Sequence, residues 1–175
     1  MKDTKYIHSG GLAFSEEKDM KRLSHYAKKG WILEGFAPFG YRLKKGKPQN
    51  LIYNLDYQKE ADEEYFSFFK AGNWTYVCSA GNEIHVFSAP EGTEPIYSDR
   101  ATYIDKYERE MRQMGKYALP LLIVTVIFFL LSLIDFSPIA GKICLVLGTV
   151  TLIALVFPGL PYLSYKFKLY RLSKQ

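Results

Sequence analysis

The side chains able to do acid–base, nucleophilic or metal chemistry are few and scattered along this 175-residue sequence. Cys78 and Cys144 fall in different predicted compartments, so they form neither a disulfide nor half of a CxxC metal site. His8, His25 and His85 lack HxxxH or HxxE spacing, and no P-loop, GxSxG or Cys/His pair is present. The pattern implies no catalytic constellation, no metal and no cofactor. The carboxylate runs Glu16-Glu17 and Asp62-Glu63-Glu64 each open a predicted helix, where the macrodipole accounts for them. Asp56 is different, because it lies on the polar face of a predicted strand between Leu55 and Tyr57. A carboxylate there is solvated, paired with a base such as Arg42, or used. With the strand aromatics Tyr41, Tyr53, Tyr57 and Trp74 it forms the candidate ligand- or partner-binding set, on the expectation that the sheet leaves one face open.

These residues need elements to position them. Ser15 is set to cap a helix whose Met20, Leu23 and Ala27 make one apolar face, with Tyr26 beside them and Gly30 at the C-terminal left-handed position. The segment from Trp31 carries apolar residues at Leu33, Phe39, Tyr41 and Leu43 and reads as a strand, which turns at Lys45-Gly46. Leu51, Tyr53, Leu55 and Tyr57 alternate with Asn50, Asn54 and Asp56 as a second strand, expected to pair with residues 39–44. Residues 61–70 predict a second helix closed by Gly72, and 74–78 with 83–87 a last strand or hairpin around Gly81-Asn82. Lys29-Gly30-Trp31 and Lys70-Ala71-Gly72-Asn73-Trp74 repeat the same helix exit, which suggests two related halves. The expected fold is α+β: a ferredoxin-like βαββαβ domain over residues 1–98, followed by a two-helix transmembrane hairpin.

The words Gly30-Trp31, Tyr41-x-Leu43-x-x-Gly46-x-Pro48, Tyr53-x-Leu55-Asp56-Tyr57, Gly72-x-Trp74-x-Tyr76-Val77 and Ile96-Tyr97-Ser98-Asp99 occur in this order. Together they resemble the family catalogued as domain of unknown function 2812, over residues 5–99. The resemblance implies a Gram-positive bacterial membrane protein, often found near PadR-type transcriptional regulators. It transfers no catalytic residue.

Mean hydropathy is −0.12, yet residues 117–134 and 143–165 carry no charged side chain. The first segment holds 13 Leu, Ile, Phe or Val residues between Leu119 and Ile134. On an insertion scale these contribute roughly −4 to −8 kcal/mol. The second, through Pro158, Gly159 and Pro161, is the weaker span. The domain plan is a helix at 99–116 capped by Asp99, spans at 117–135 and 142–163, and a basic tail at 164–175. Lys116, Tyr117, Tyr162, Tyr165, Lys166 and Lys168 mark the membrane interfaces, and Ala140, Cys144 and Gly148 form a small-residue stripe for helix packing.

Residues 1–100 balance 14 basic against 14 acidic side chains, so the excess charge is juxtamembrane. That distribution argues against nucleic acid as a partner and places both termini in the cytoplasm of a two-span protein of the cell membrane. The expected partners are the lipid bilayer, a transcriptional regulator or a membrane complex, and a second copy through the stripe. The expected role is a membrane-anchored sensor or adaptor, with an accessory or immunity-like subunit as the alternative. A cysteine placed in the 135–142 loop is therefore expected to react with an impermeant thiol reagent added to intact cells, whereas Cys78 is not. Labelling of any residue of 1–98 from outside contradicts that orientation.

Overall fold

In a computed structural model, residues 3–97, 100–134 and 137–174 are described. The expected cap at Asp99 and the hairpin residue Asp135 lie outside them. The chain divides into two compact units, Met1–Arg100 and Ala101–Gln175.

The first unit is mixed α+β with a βαββαβ-like order. Its elements are β1 (Thr4–His8), α1 (Leu12–Ala27), β2 (Trp31–Ala37), β3 (Gly40–Lys45), β4 (Leu51–Tyr57), α2 (Glu63–Ala71), β5 (Thr75–Ala80) and β6 (Ile84–Pro90). They build two three-stranded antiparallel sheets, β1-β3-β2 and β4-β6-β5, rather than one. Each half thus repeats strand, helix, strand, strand, with the last strand in the middle. The two halves meet where β2 runs beside β5.

Several elements follow directly from sequence. Met20, Leu23 and Ala27 are buried along α1, and Gly30 takes φ +76. Asp62 caps α2, its side chain accepting from the Tyr65 amide at 2.8 Å. The expected pairing of 39–44 with 50–57 is not found: β3 pairs with β1 and β2, and β4 pairs with β6. The reason lies in the connection, where Gly46 N donates to Gly30 O and Gln49 N to Ala27 O. Held across the C-terminus of α1, the chain enters a second sheet instead of folding back. The single strand read through Phe39 is a hairpin turning at Pro38-Phe39, with Ala37 opposite Gly40.

The larger core joins α1 to both sheets through Ile7, Leu23, Leu33, Leu43, Leu55 and Val86. A smaller one on the other face of β4-β6-β5 packs Phe69 of α2 on Phe87, their rings 4.2 Å apart, beside Trp74 and Ala89.

The second unit is a pair of helices, α3 (Arg100–Ser132) and α4 (Pro138–Ser173), both long and apolar enough to cross a membrane. α3 runs through Gly115 and Pro120 as one helix. Gly115 faces Tyr162, Gly148 faces Phe128 and Phe129, and Tyr107 stacks on Tyr165, which makes the pair antiparallel.

Gly40 offers the sharpest test of the first unit, because a Cβ there would sit 2.2 Å from the Ile7 carbonyl oxygen. Gly40→Ala is expected to destabilise the unit by about 2–4 kcal/mol in denaturant titration followed by tryptophan fluorescence. A change under about 0.5 kcal/mol contradicts the β1–β3 packing.

Candidate functional site

One of the carboxylates assigned to the helix dipole, Glu16, turns inward, and Asp19 turns inward with it. Ser15 has φ −132, outside the helical range, so α1 starts with a short turn and bends there. Glu16 and Asp19 then fall on the face that also carries Met20 and Leu23. They are 3% and 2% exposed, whereas Glu17 is exposed. A buried carboxylate requires donors, and Asp19 has them. Ser9 Oγ donates to it at 2.6 Å, the Gly10 amide at 3.0 Å, and the Tyr41 hydroxyl at 3.2 Å. An Arg22 Nη2 stands 3.4 Å away. Glu16 accepts from the Tyr57 hydroxyl at 3.3 Å. Burial first, and the Asp19 charge with it, pushes the Tyr41 hydroxyl above its ordinary range, so it stays a neutral donor.

Beside this cluster lies a cleft of about 260 Å³ lined by Ser9, Leu12, Phe36, Ala37, Phe39 and Tyr41, with glycine backbone at its edges. Its lining is mostly apolar, and Ser9 links it to the Asp19 network. Phe39 is 86% exposed and has φ +56. With Pro38 first and positive φ at Phe39 the turn is of the kind whose second position is normally taken by glycine or asparagine. An aromatic there is disfavoured by about 1 kcal/mol and gains no burial in return. Phe14, also exposed, stands near the same mouth, close to Gly11.

The sequence-derived set is split by the second sheet. Tyr41 and Tyr57 reach the α1 carboxylates, and Tyr53, also in the larger core, accepts from the Leu33 amide at 3.4 Å. On the opposite face Asp56 accepts from the Tyr65 hydroxyl at 2.9 Å and from the Tyr97 hydroxyl, while Arg42 pairs with Glu34 instead. Trp74 is buried and donates its indole N–H to Glu94 O at 3.0 Å. His85, opposite Asp56 in the ladder, lies 2.6 Å from Ser79 Oγ and 2.9 Å from Gln58 O. The carbonyl can only accept, so Nε2 carries the N–H of that bond. All five candidates are buried, and none is on an open sheet face.

In the helical unit Lys116, Tyr117 and Lys166 are exposed, Tyr162 is half-buried and Tyr165 is buried against Tyr107. Lys168 stands over the Tyr107 ring at 4.5 Å. Gly148 is buried, Cys144 half-buried and Ala140 exposed.

Sequence reasoning missed Glu16, Asp19, Phe39 and the Ser79–His85 pair. A signal existed for the first two, which share the periodic face of Met20, Leu23 and Ala27. Among the described residues no group of three or more His, Cys, Asp or Glu is placed to hold a metal ion. Burial pushes the Cys78 thiol up to about 11, against the opposing Phe36 backbone, which makes it a poor nucleophile.

The family model described as protein of unknown function (DUF2812) matches residues 15–119, more than half of the chain, and the chain belongs to that family. No curated protein and no solved structure matches it.

The raised Cys78 pKa fixes a pH profile. In full-length protein carrying Cys144→Ser, alkylation by iodoacetamide is expected to be about a hundredfold slower than for a free thiol near pH 8, and to climb tenfold per pH unit to about pH 11. The sign follows from the thiolate being the reactive form, scarce below the raised value. A rate that levels off near pH 9 contradicts the assigned environment.

Proposed function

We propose that this member of the DUF2812 family is a membrane-anchored sensor or adaptor, whose α+β unit receives a small apolar ligand or a regulator protein at the cleft beside Asp19. The observation that carries the reading is Phe39. An aromatic side chain held in left-handed backbone, exposed, and set at the mouth of an apolar cleft has no account in the folding of the unit. Contact with a bound molecule supplies that account. The buried hydroxyl–carboxylate network next to it gives the cleft a rigid wall, and rigidity favours affinity by lowering the ordering needed on binding.

The two apolar helices support anchoring, and in this reading they hold the unit at the cytoplasmic face of the cell membrane. An accessory or immunity-like subunit is the competing role, in which the helices themselves carry the activity. Replacing residues 117–165 with an unrelated hairpin separates the two roles: a sensor keeps its cleft-dependent output and an accessory subunit loses it.

The direct test is a photo-crosslinking residue at position 39 of the full chain in native membranes. A discrete adduct is expected at Phe39, absent from a control crosslinker at exposed Ser67 and abolished by Ala37→Trp, which fills the cleft. Identical adduct patterns at positions 39 and 67 sink the reading.

A further inference from the structure

The α+β unit is neutral overall, and its charges are not evenly spread. The C-terminal turn of α1 and the segment after β3 lie together, since Gly46 N donates to Gly30 O and a Cβ on Gly30 would meet Gly46 O and Pro48. This brings Lys28 and Lys29 next to Lys45 and Lys47, all exposed, while Lys44 stands on the other face of β3. Half-buried Lys5 joins them from β1, where it stands opposite Leu43 of β3, on the face that carries Lys45. The acids placed among these lysines are Asp3, whose carbonyl accepts from the Lys45 amide, and Glu91, 2.8 Å from Lys28. Five lysines against two carboxylates make this end of the unit strongly basic.

An aromatic pair sits inside the cluster. Lys5 Nζ lies 4.5 Å from the centre of the Tyr26 ring and 5.6 Å from that of Trp31, and Lys45 Nζ lies 4.9 Å from Trp31. Both rings are half-buried, so part of each meets solvent.

We propose that this lysine cluster around Trp31 is a docking surface for the anionic headgroups of the membrane that the two apolar helices enter. Charge complementarity carries the assignment. Clustered lysines are attracted to an anionic leaflet over about a Debye length, and an indole with apolar body and polar edge is suited to the headgroup zone. The cluster contains lysine and no arginine, which fits a diffuse charged surface better than the bidentate phosphate and base contacts of nucleic-acid readout. Tethering through the helices keeps the unit near a bilayer, so weak individual attractions act at high effective concentration. This surface is separate from the Phe39 cleft and does not depend on what the cleft binds.

The test uses the full chain reconstituted in phosphatidylcholine vesicles, with or without about one-third phosphatidylglycerol. Trp31 and the buried Trp74 are the two tryptophans, so a Trp31→Phe protein gives the background and the difference reports Trp31 alone. Acrylamide quenching of Trp31 is expected to fall about threefold when phosphatidylglycerol is present, and to recover near 0.5 M salt, where the Debye length is only a few ångströms. Lys45→Glu/Lys47→Glu should abolish the protection, as should the independent pair Lys28→Glu/Lys29→Glu, with far-UV circular dichroism confirming that each folds. Should both variants unfold, the lipid and salt comparison on the unaltered chain decides alone. Equal quenching in the two vesicle types overturns the proposal. Protection by added RNA without protection by phosphatidylglycerol also overturns it and reassigns the surface to nucleic acid. An empty cleft at position 39 leaves all these outcomes unaffected, so the two readings fail separately.

Discussion

The architecture of the α+β unit depends on supplying donors to the buried Asp19 carboxylate. An unpaired carboxylate in such a place is destabilising by several kcal/mol, so its donors are structural requirements. They come from the Ser9–Gly11 connection and from Tyr41 on β3, which ties the start of α1 to the first sheet at two points. One turn earlier, Glu16 meets Tyr57 on β4, in the second sheet. α1 is therefore bonded to both halves, and the wall of the neighbouring cleft is set by hydrogen bonds rather than by loose packing. The geometry of the glycines follows: a Cβ on Gly10 would sit 2.6 Å from Ser15 Cβ, so the loop reaches Asp19 only with glycine there.

Related halves with different surroundings explain how much of this was legible. The alternation of Leu51, Tyr53, Leu55 and Tyr57 correctly marked an inward face, and helix exits at Gly30 and Gly72 marked the repeat. Alternation says that one face is apolar; it does not say that the other meets water. Here α2 and the Tyr97 segment cover the second face, so Asp56 is buried and bonded to tyrosine hydroxyls rather than to Arg42. Strand partners were illegible for a similar reason. Pairing of β3 with β4 looked favourable locally, and the bonds that prevent it run to the far end of α1, from Gly46 and Gln49.

The unit's charge is another property that composition conceals. A chain segment with equal numbers of acids and bases is expected to be featureless electrostatically only if the fold mixes them. The fold instead buries Asp19, Glu16 and Asp56 in hydroxyl networks and brings exposed lysines from the exit of α1 and from β3, with half-buried Lys5 of β1, to one end. Buried carboxylates, bonded to nearby donors, contribute less to the outside field than exposed lysines, so the field of a neutral unit is locally positive. Counting along the sequence located the basic excess beside the two apolar helices and missed this second one.

In the helical unit the small residues already have an occupation. Gly148 is buried against Phe128 and Phe129, and Gly115 against Tyr162, so their missing side chains let α3 and α4 approach each other. Of the expected stripe, Gly148 is consumed by the hairpin, while Ala140 stays exposed. The outward surface of both helices is mostly Leu, Ile and Val, which lipid solvates as readily as another helix does. Apolar area alone thus gives this hairpin no preference for self-association over lipid. The polar, charged and strained features that vary the surface of this chain lie mostly in the α+β unit, and the exposed helix surface is chemically uniform beside them.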